Sequence, residues 1–230
     1  MEKKSPYELI LDTLREKSAM KQDVFKITMD TFNDFKITLK EVVKELSSEK
    51  DKIDSRIIFE YKTKNEFNAE IKIGGDTMIF QAHTNVFHFD KSHHIWNSSY
   101  VKEDQTRTYC GMINIYNFLS DSIKYNREND LGYLVGRIFI NREKHFFVEG
   151  KRQLGFLYNN FPHAIMTKST IRSIVESAII YCLDFDLLTP TYDAMKEVSV
   201  HEIQELTKNL VFTTGKRLGF KFQADTDNIE

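Results

Sequence analysis

The fold is decided by residues 57–83, which read IIFEYKTKNEFNAEIKIGGDTMIFQAH. Apolar side chains alternate with polar ones in three consecutive runs, which is the period-two pattern of half-buried β-strands. Gly74-Gly75-Asp76 separates the last two runs. A tight hairpin turn needs positive φ, and glycine adopts positive φ without steric cost. The stretch therefore predicts an antiparallel meander.

Strand patterns return further along the chain. They cover Thr108 to Ile115, Tyr133 to Ile140, His145 to Val148 and Leu154 to Tyr158. Residues 116–125 fit either a helix or a strand, and residues 84–106 read as a long loop. Because the strands come in runs and do not alternate with helices, we expect an antiparallel sheet of about six strands and no doubly wound fold.

The segment before the meander is predicted to be helical. Ser5, Pro6 and Glu8 form a helix start, in which Ser5 caps, Pro6 takes the first helical position and Glu8 completes a capping box. An apolar seam then follows at alternating steps of three and four. Its members are Phe25, Thr28, Phe32, Phe35, Leu39, Val42 and Leu46. The pattern predicts one long helix to about Lys50, or two helices joined near residues 18–22.

The seam has two interpretations. It can pack on the chain's own sheet, as the apolar stripe of most surface helices does. Alternatively, Phe25, Phe32, Phe35 and Leu39 can form a seam shared with a second subunit, giving a homodimer through the N-terminal helix.

The C-terminal third adds helices. Ser169 or Thr170 is predicted to cap a helix that ends near Asp186. Residues 199–202 form a second capping box that opens a short helix to about Asn209, and a last strand follows at residues 218–222. The chain is thus predicted to be α+β, with an N-terminal long helix or helical hairpin over residues 1–50 and an antiparallel α+β domain over residues 51–230.

Bulk composition excludes several classes of protein. The chain has 230 residues, 41% of them hydrophobic, which argues against a disulfide miniprotein and against global disorder. A formal net charge of −2 argues against broad, nonspecific coating of nucleic acid. Cys110 and Cys182 lie far apart without a C-x-x-C motif, as in free thiols of a reducing cytoplasm. No apolar stretch approaches the roughly 20 residues of a membrane helix, so we expect a soluble cytoplasmic protein without a membrane partner.

Two segments resemble catalytic motifs but lack residues that those motifs require. His201-Glu202 begins like a zinc-protease helix, but Glu205 stands where the second histidine is required. Gly150 and Gly155 have the glycine spacing of a P-loop, yet Phe156-Leu157 replaces its Lys-Ser/Thr pair. These segments therefore predict neither metalloprotease activity nor nucleotide hydrolysis by a P-loop.

Residues 81–96 form the segment densest in functional groups. It holds four of the seven histidines and the only tryptophan, Trp96. Imidazole and carboxylate are the usual ligands of divalent transition metals, although the spacing matches no standard pattern. The candidate ligands are His83, His88, Asp90, His93 and His94. The alternatives are a metal-free pocket, a pH-sensitive contact, or structural histidines with Trp96 anchoring the loop.

Two basic turns resemble each other. Gly150-Lys151-Arg152 and Gly215-Lys216-Arg217 are each followed within two residues by Leu-Gly-Phe. Together with neighbouring arginines they could form a face that binds an anionic small molecule or a nucleotide. The candidate residues are Arg137, Arg142, Lys151, Arg152, Lys216 and Arg217. Solvated cations at tight turns explain the same pattern without a ligand.

These patterns favour a soluble, non-enzymatic protein that binds a ligand or partner through a sheet face and the His-rich loop. Two alternatives stay open at the level of sequence. One is a metal-dependent hydrolase with a histidine-cluster site, and the other is a nucleotide or nucleic-acid binder that uses the basic Gly-Lys-Arg turns.

Overall fold

The computed structural model describes residues 4–128, 130–185 and 187–188, with positions 197, 199–201, 204 and 220–221 beyond them. Its helices are α1 Pro6–Thr13, α2 Ala19–Ser48, α3 Lys50–Ile53, α4 Ser99–Glu103, α5 Ser120–Lys124, α6 Gln153–Leu157 and α7 Lys168–Leu183. Its strands are β1 Phe59–Asn65, β2 Asn68–Ile73, β3 Asp76–Ala82, β4 Phe87–His88, β5 Tyr109–Leu119, β6 Tyr133–Asn141, β7 Phe146–Gly150, β8 Leu187–Leu188 and β9 Phe220–Lys221. The predicted α+β class is confirmed.

The main sheet is antiparallel throughout. Its order is β1-β2-β3-β5-β6-β7, and the short strand β4 also pairs with β5. In the predicted hairpin, Ile73 pairs with Asp76, so Gly74 and Gly75 form the turn, with φ of +60° at Gly74. The predicted meander over residues 57–83 is thus confirmed as β1, β2 and β3.

The N-terminal helical segment is nearly continuous. The predicted capping box is present, because Glu8 N donates to Ser5 Oγ at 3.2 Å and Ser5 N donates to the Glu8 carboxylate at 2.8 Å. A π-helical segment, Leu14–Ser18, joins α1 to α2 without interrupting the helix. The predicted junction of two helices near residues 18–22 is thus a π-helical turn slightly earlier in the chain. This turn is wider than an α-helical turn and does not end the helix.

The seam of α2 packs on the chain's own sheet. Phe32, Phe35 and Leu39 are fully buried in a core that α2 and α7 build on one sheet face. The ring centroid of Phe35 lies 6.2 Å from that of Phe80 on β3. Three of the four residues of the suggested dimer seam thus present no surface to a second subunit, and Phe25 is half-buried. The predicted division into a helical segment of residues 1–50 and a domain of residues 51–230 stays a prediction, although α2 packs in the same core as the sheet.

Thr28, the polar residue in the seam, lies against a glycine. A Cβ on Gly111 of β5 would collide with the Thr28 side chain, whose hydroxyl donates to Val24 O at 2.7 Å. The threonine satisfies its own hydroxyl along the helix, a pattern typical of Ser and Thr in helices. Helix and sheet therefore approach each other closely at this point.

Some predicted elements differ in the structure. The predicted strand from Leu154 to Tyr158 is wrong, because residues 153–157 form α6 and Leu154 is buried. The ambiguous stretch 116–125 is strand to Leu119 and then helix α5. Thr167 caps α7 in place of Ser169 or Thr170, since Thr170 N donates to Thr167 Oγ1. The helix predicted from residue 199 and the strand predicted at 218–222 lie mostly outside the described residues.

Among the helices of the described chain, none combines the length and the apolar character needed to cross a membrane.

Candidate functional site

The sheet face opposite α2 and α7, called the open face below, carries the candidate site. Side chains alternate along a strand, so the neighbours of core residues point to this face. The loop of residues 83–108 covers one end of the face through a second apolar cluster. Its buried members are Ile95, Val101, Cys110, Met112, Phe139, Phe147 and Phe161. The loop predicted to be functional is therefore anchored on the sheet.

A cleft of about 520 Å³ opens where this loop meets β6 and β7. We call it the loop–sheet cleft. The lining side chains that matter here are Phe89, His93, His94, Phe139, Phe147 and Glu149. The cleft brings part of the His-rich segment onto the sheet face.

The floor of the loop–sheet cleft is aromatic. The rings of Phe139 and Phe147 stack with centroids 4.9 Å apart and an interplanar angle of 20°. The ring of Phe89 packs against both, at 5.1 Å and 5.4 Å. Phe139 and Phe147 are each 7% exposed. Each of the three rings therefore packs against the other two.

The rim is polar. The His93 ring lies 4.7 Å from Phe89 and 4.3 Å from His94, and its Nδ1 accepts from Ile95 N at 3.3 Å. Burial, and then the neighbouring His94, hold the pKa of His93 below its usual value, while Glu149 opposes the shift. His93 is therefore neutral at pH 7, with its proton on Nε2 because Nδ1 acts as an acceptor.

The predicted metal ligands do not converge. His83 Nδ1 accepts from Asn85 N, His88 packs edge-on to Trp96, and Asp90 accepts from Ser92 N and Oγ. Within the described ranges, no three His, Cys, Asp or Glu side chains are placed to hold a metal ion. The metal-centre interpretation thus lacks geometric support, because each of these groups is engaged in local loop contacts.

Three of the arginines of the predicted anion-binding face each pair with a carboxylate of this chain. Arg137 pairs with Glu149 at 3.4 Å, Arg142 pairs with Asp104 at 2.7 Å, and Arg152 pairs with Asp184. These carboxylates lie in three different parts of the fold and neutralise the arginines locally.

Three cations of the predicted face remain. Lys151 is exposed, and Lys216 and Arg217 lie outside the described residues. A Cβ on Gly155 would collide with the carbonyl of Gly150, so these glycines permit α6 to pack on β7. These two glycines therefore bring two backbone segments of this chain close together.

A polar network that the sequence did not reveal fixes the loop to the β6–β7 turn. Tyr100 donates its hydroxyl to Glu143 at 2.8 Å, and Asn141 Nδ2 donates to Tyr100 Oη at 2.9 Å. Arg107 donates to Glu143 at 3.1 Å and to Tyr100 O at 2.7 Å. Burial raises the pKa of Tyr100, so its hydroxyl stays protonated as a donor. We call Tyr100, Arg107, Asn141 and Glu143 the loop lock.

Trp96 is a natural reporter for the cleft. Its indole Nε1 donates to the carbonyl of Phe89 at 3.3 Å, and Phe89 lines the cleft.

Comparison with family models, with curated proteins and with solved structures found no match. Function is therefore inferred from the chemistry of the cleft.

Proposed function

We propose that this is a non-enzymatic binding protein that holds a small, flat, nitrogen-containing ring in the loop–sheet cleft. One observation carries the proposal: a floor of phenylalanine rings lies beneath a rim of two imidazoles and one carboxylate in a single cleft. Small-molecule sites typically combine an apolar, aromatic lining with a few polar groups, in volumes of about 300–1,000 Å³.

The rim offers complementary hydrogen-bonding groups. His93 uses Nδ1 within the loop, which leaves its Nε2–H as a donor toward a ligand. Glu149 also lines the cleft; its carboxylate pairs with Arg137 at 3.4 Å, is 62% exposed, and has further lone pairs with which to accept from a ligand. A planar heterocycle that carries a ring nitrogen beside an amino group can accept from one and donate to the other. The proposed ligand class follows from this donor and acceptor pair over an aromatic floor.

Titration of Trp96 fluorescence with adenine tests the proposal, with cyclohexanol as an uncharged, puckered control. We expect a saturable change with adenine, and none with cyclohexanol. His93→Asn keeps an acceptor for Ile95 N but removes the ring, and Glu149→Ala removes the acceptor that the carboxylate provides. Each should weaken adenine binding by about tenfold, the size of one good hydrogen bond.

His163→Ala is the matched control, because His163 is an exposed histidine outside the cleft lining. It should bind adenine as the wild type does. Equal affinities for adenine and cyclohexanol, or unchanged adenine affinity in both cleft variants, would contradict the proposed function.

We further place the protein in the cytoplasm. Cys110 and Cys182 are buried and form no disulfide, and burial raises the pKa of the Cys110 thiol. Unreactive, reduced thiols of this kind are typical of a reducing compartment. Fractionation of the native host's cells tests this placement, and recovery outside the cytoplasm would contradict it.

A further inference from the structure

The other end of the open face, over β1, β2 and β3, holds a second cleft of about 480 Å³. We call it the lysine cleft. Four lysines and two glutamates line it, an excess of two positive charges. These residues are Lys62, Lys64, Lys72, Lys124, Glu60 and Glu70. Within a chain of net charge −2, this is a local concentration of cations.

Strand alternation places the charges on one face. Lys62 and Lys64 follow Glu60 at steps of two along β1, and Lys72 follows Glu70 along β2. The register sets Glu60 opposite Lys72 and Lys62 opposite Glu70. The cationic surface is therefore built on paired strands and does not depend on a mobile loop.

Two of the lysines are engaged by the two glutamates. Lys62 pairs with Glu60 at 2.8 Å, and Lys64 pairs with Glu70 at 2.8 Å. The other two cations stand outside these pairs. Lys72 faces Glu60 across the strands, and Lys124 lies over the ring of Tyr125, 4.9 Å from its centroid. Lys72 and Lys124 are thus the two lysines of the cleft outside the ion pairs of Glu60 and Glu70, and Tyr125 and Asp121 lie close to Lys124.

Two buried hydroxyls also line the lysine cleft. Thr77 Oγ1 and Ser120 Oγ lie 2.9 Å apart, and the two residues are 6% and 4% exposed. A hydroxyl pair uses only one of its two hydrogens in the bond between them, so one hydrogen is left to donate. Lysine ammonium groups beside a hydroxyl donor are a common way to bind phosphoryl oxygens.

The lysine cleft also has an apolar wall. Ile58 is 41% exposed and Ile123 is 38% exposed, and both line it. Exposed aliphatic side chains beside a cationic site suit a ligand that joins a charged group to an apolar body. A free inorganic anion would leave this wall uncovered.

We propose that the lysine cleft binds a small organic phosphate. The phosphoryl group lies against Lys72, Lys124 and the Thr77–Ser120 hydroxyl pair. The body of the ligand packs on Ile58 and Ile123. This site is separate from the loop–sheet cleft and uses none of the arginines that the basic turns suggested.

Isothermal titration calorimetry with phenyl phosphate, inorganic phosphate and phenol at low salt tests this inference. Phenyl phosphate should bind more tightly than either of its two parts, and its affinity should fall as salt rises, because salt screens partly exposed charges. The absence of phenyl phosphate binding at low salt, or equal binding of phenol, would overturn the inference.

Variants separate a ligand site from a structural role. Lys72→Ala and Lys124→Ala should each weaken phenyl phosphate binding by about tenfold, whereas Lys72→Arg should retain binding. Glu60→Gln should strengthen it, because Glu60 competes for Lys62 and Lys72. Lys40→Ala, an exposed lysine on α2, should change nothing.

The loop–sheet cleft supplies a further control. His93→Asn must leave the affinity for phenyl phosphate unchanged, since His93 does not line the lysine cleft. Wild-type affinity in the Lys72→Ala, Lys124→Ala double variant, with circular dichroism showing intact folding, would overturn the proposed site. So would a loss of affinity in His93→Asn equal to that in the lysine variants.

Discussion

At the scale of single residues, His93 both lines the loop–sheet cleft and holds the local structure of the loop. Its Nδ1 caps the 3₁₀ turn of residues 94–97 by accepting from Ile95 N, so the tautomer is fixed by the loop and not by a ligand. Protonation would turn this acceptor into a donor and break the cap. Desolvation and the nearby His94 oppose that protonation by lowering the pKa of His93. One histidine thus links the order of the loop to pH.

The first prediction concerns pH and stability. The folded pKa of His93 lies below the ordinary value of 6.5, so the unfolded chain takes up this proton first. The contribution of His93 to the free energy of unfolding is therefore constant above about pH 6.5. As the pH falls below this value, protonation of His93 in the unfolded chain destabilises the fold. His93→Asn keeps the acceptor but does not titrate.

Melting temperatures at about pH 7.5 and about pH 5.5 should therefore differ less in His93→Asn than in the wild type. The melting temperature of the variant will still fall somewhat at the lower pH, because burial also lowers the pKa of His88. An equal fall in melting temperature in the wild type and in His93→Asn would show that His93 does not cause the pH dependence.

The second prediction concerns Gly111, where β5 meets α2. Gly111→Ala should lower the free energy of unfolding by about 1–3 kcal/mol, because its Cβ would collide with Thr28 in a packed core. Gly136→Ala, in the neighbouring strand, is the control, since its Cβ would have its nearest contact at 3.4 Å. Urea denaturation measures both.

Adding Thr28→Ala to Gly111→Ala removes two of the three colliding atoms and should recover part of the lost stability. If both glycine variants are equally stable, the close approach of α2 and β5 at this point is wrong.

At the scale of elements, the loop of residues 83–108 behaves as part of the sheet. Its apolar side chains pack on β5, β6 and β7, and the loop lock fastens it to the β6–β7 turn. Burial alone would raise the pKa of Glu143, but hydrogen bonds from Tyr100 and Arg107 outweigh it and keep the pKa below its usual value. The carboxylate is therefore ionised and accepts both bonds at neutral pH.

The third prediction tests this lock. Glu143→Ala removes the acceptor shared by Tyr100 and Arg107, and should cost about 1–2 kcal/mol at this half-exposed position. Amide hydrogen exchange should speed up within residues 84–108 more than in α2. Glu41→Ala, an exposed glutamate on α2, should leave exchange unchanged. Unaltered loop exchange in Glu143→Ala would show that the apolar cluster alone holds the loop.

The fourth prediction concerns the contact between α2 and the sheet. Phe35→Ala should lower the free energy of unfolding by about 3–5 kcal/mol, because a fully buried ring leaves a cavity beside Phe80. Ile37→Ala on the same helix is 51% exposed and should cost less than about 1 kcal/mol. Denaturant unfolding distinguishes the two, and equal small losses would mean that the seam faces solvent or a partner.

At the scale of the whole molecule, the two faces of the sheet have different roles. One face is covered by α2 and α7 and forms the main core. The other carries the loop–sheet cleft at one end and the lysine cleft at the other. Between them Asn114, 3% exposed, has an Oδ1 without a hydrogen-bond partner in the described structure. The open face thus carries two clefts and, between them, a buried polar atom without a hydrogen-bond partner among the described residues.

Periodicity made the main elements predictable. The seam of α2 and the meander around Gly74-Gly75 are local patterns, so sequence alone located them. The strand predicted from Leu154 to Tyr158 is wrong, because a short apolar alternation does not distinguish a strand from one turn of helix. Its conformation depends on a positive φ at Arg152 and on the contact of Gly155 with Gly150, which only the tertiary structure supplies.

The candidate site was only partly predictable. The His-rich segment marked the loop, yet which rings reach the sheet depends on how the loop crosses it, and only His93 and His94 among its histidines line the cleft. The lysine cleft was missed because its cations come from β1, β2 and α5, and their meeting needs the strand register. The Glu60-x-Lys62-x-Lys64 alternation was the one signal available.

The most direct test of the central claim, that the loop–sheet cleft binds a flat nitrogenous ring, is an amide NMR titration of the full chain with adenine. We predict saturable shifts concentrated at Phe89, His93, Phe139, Phe147 and Glu149. Shifts that are absent, or that concentrate on the helix-covered face or at the lysine cleft, would contradict the claim.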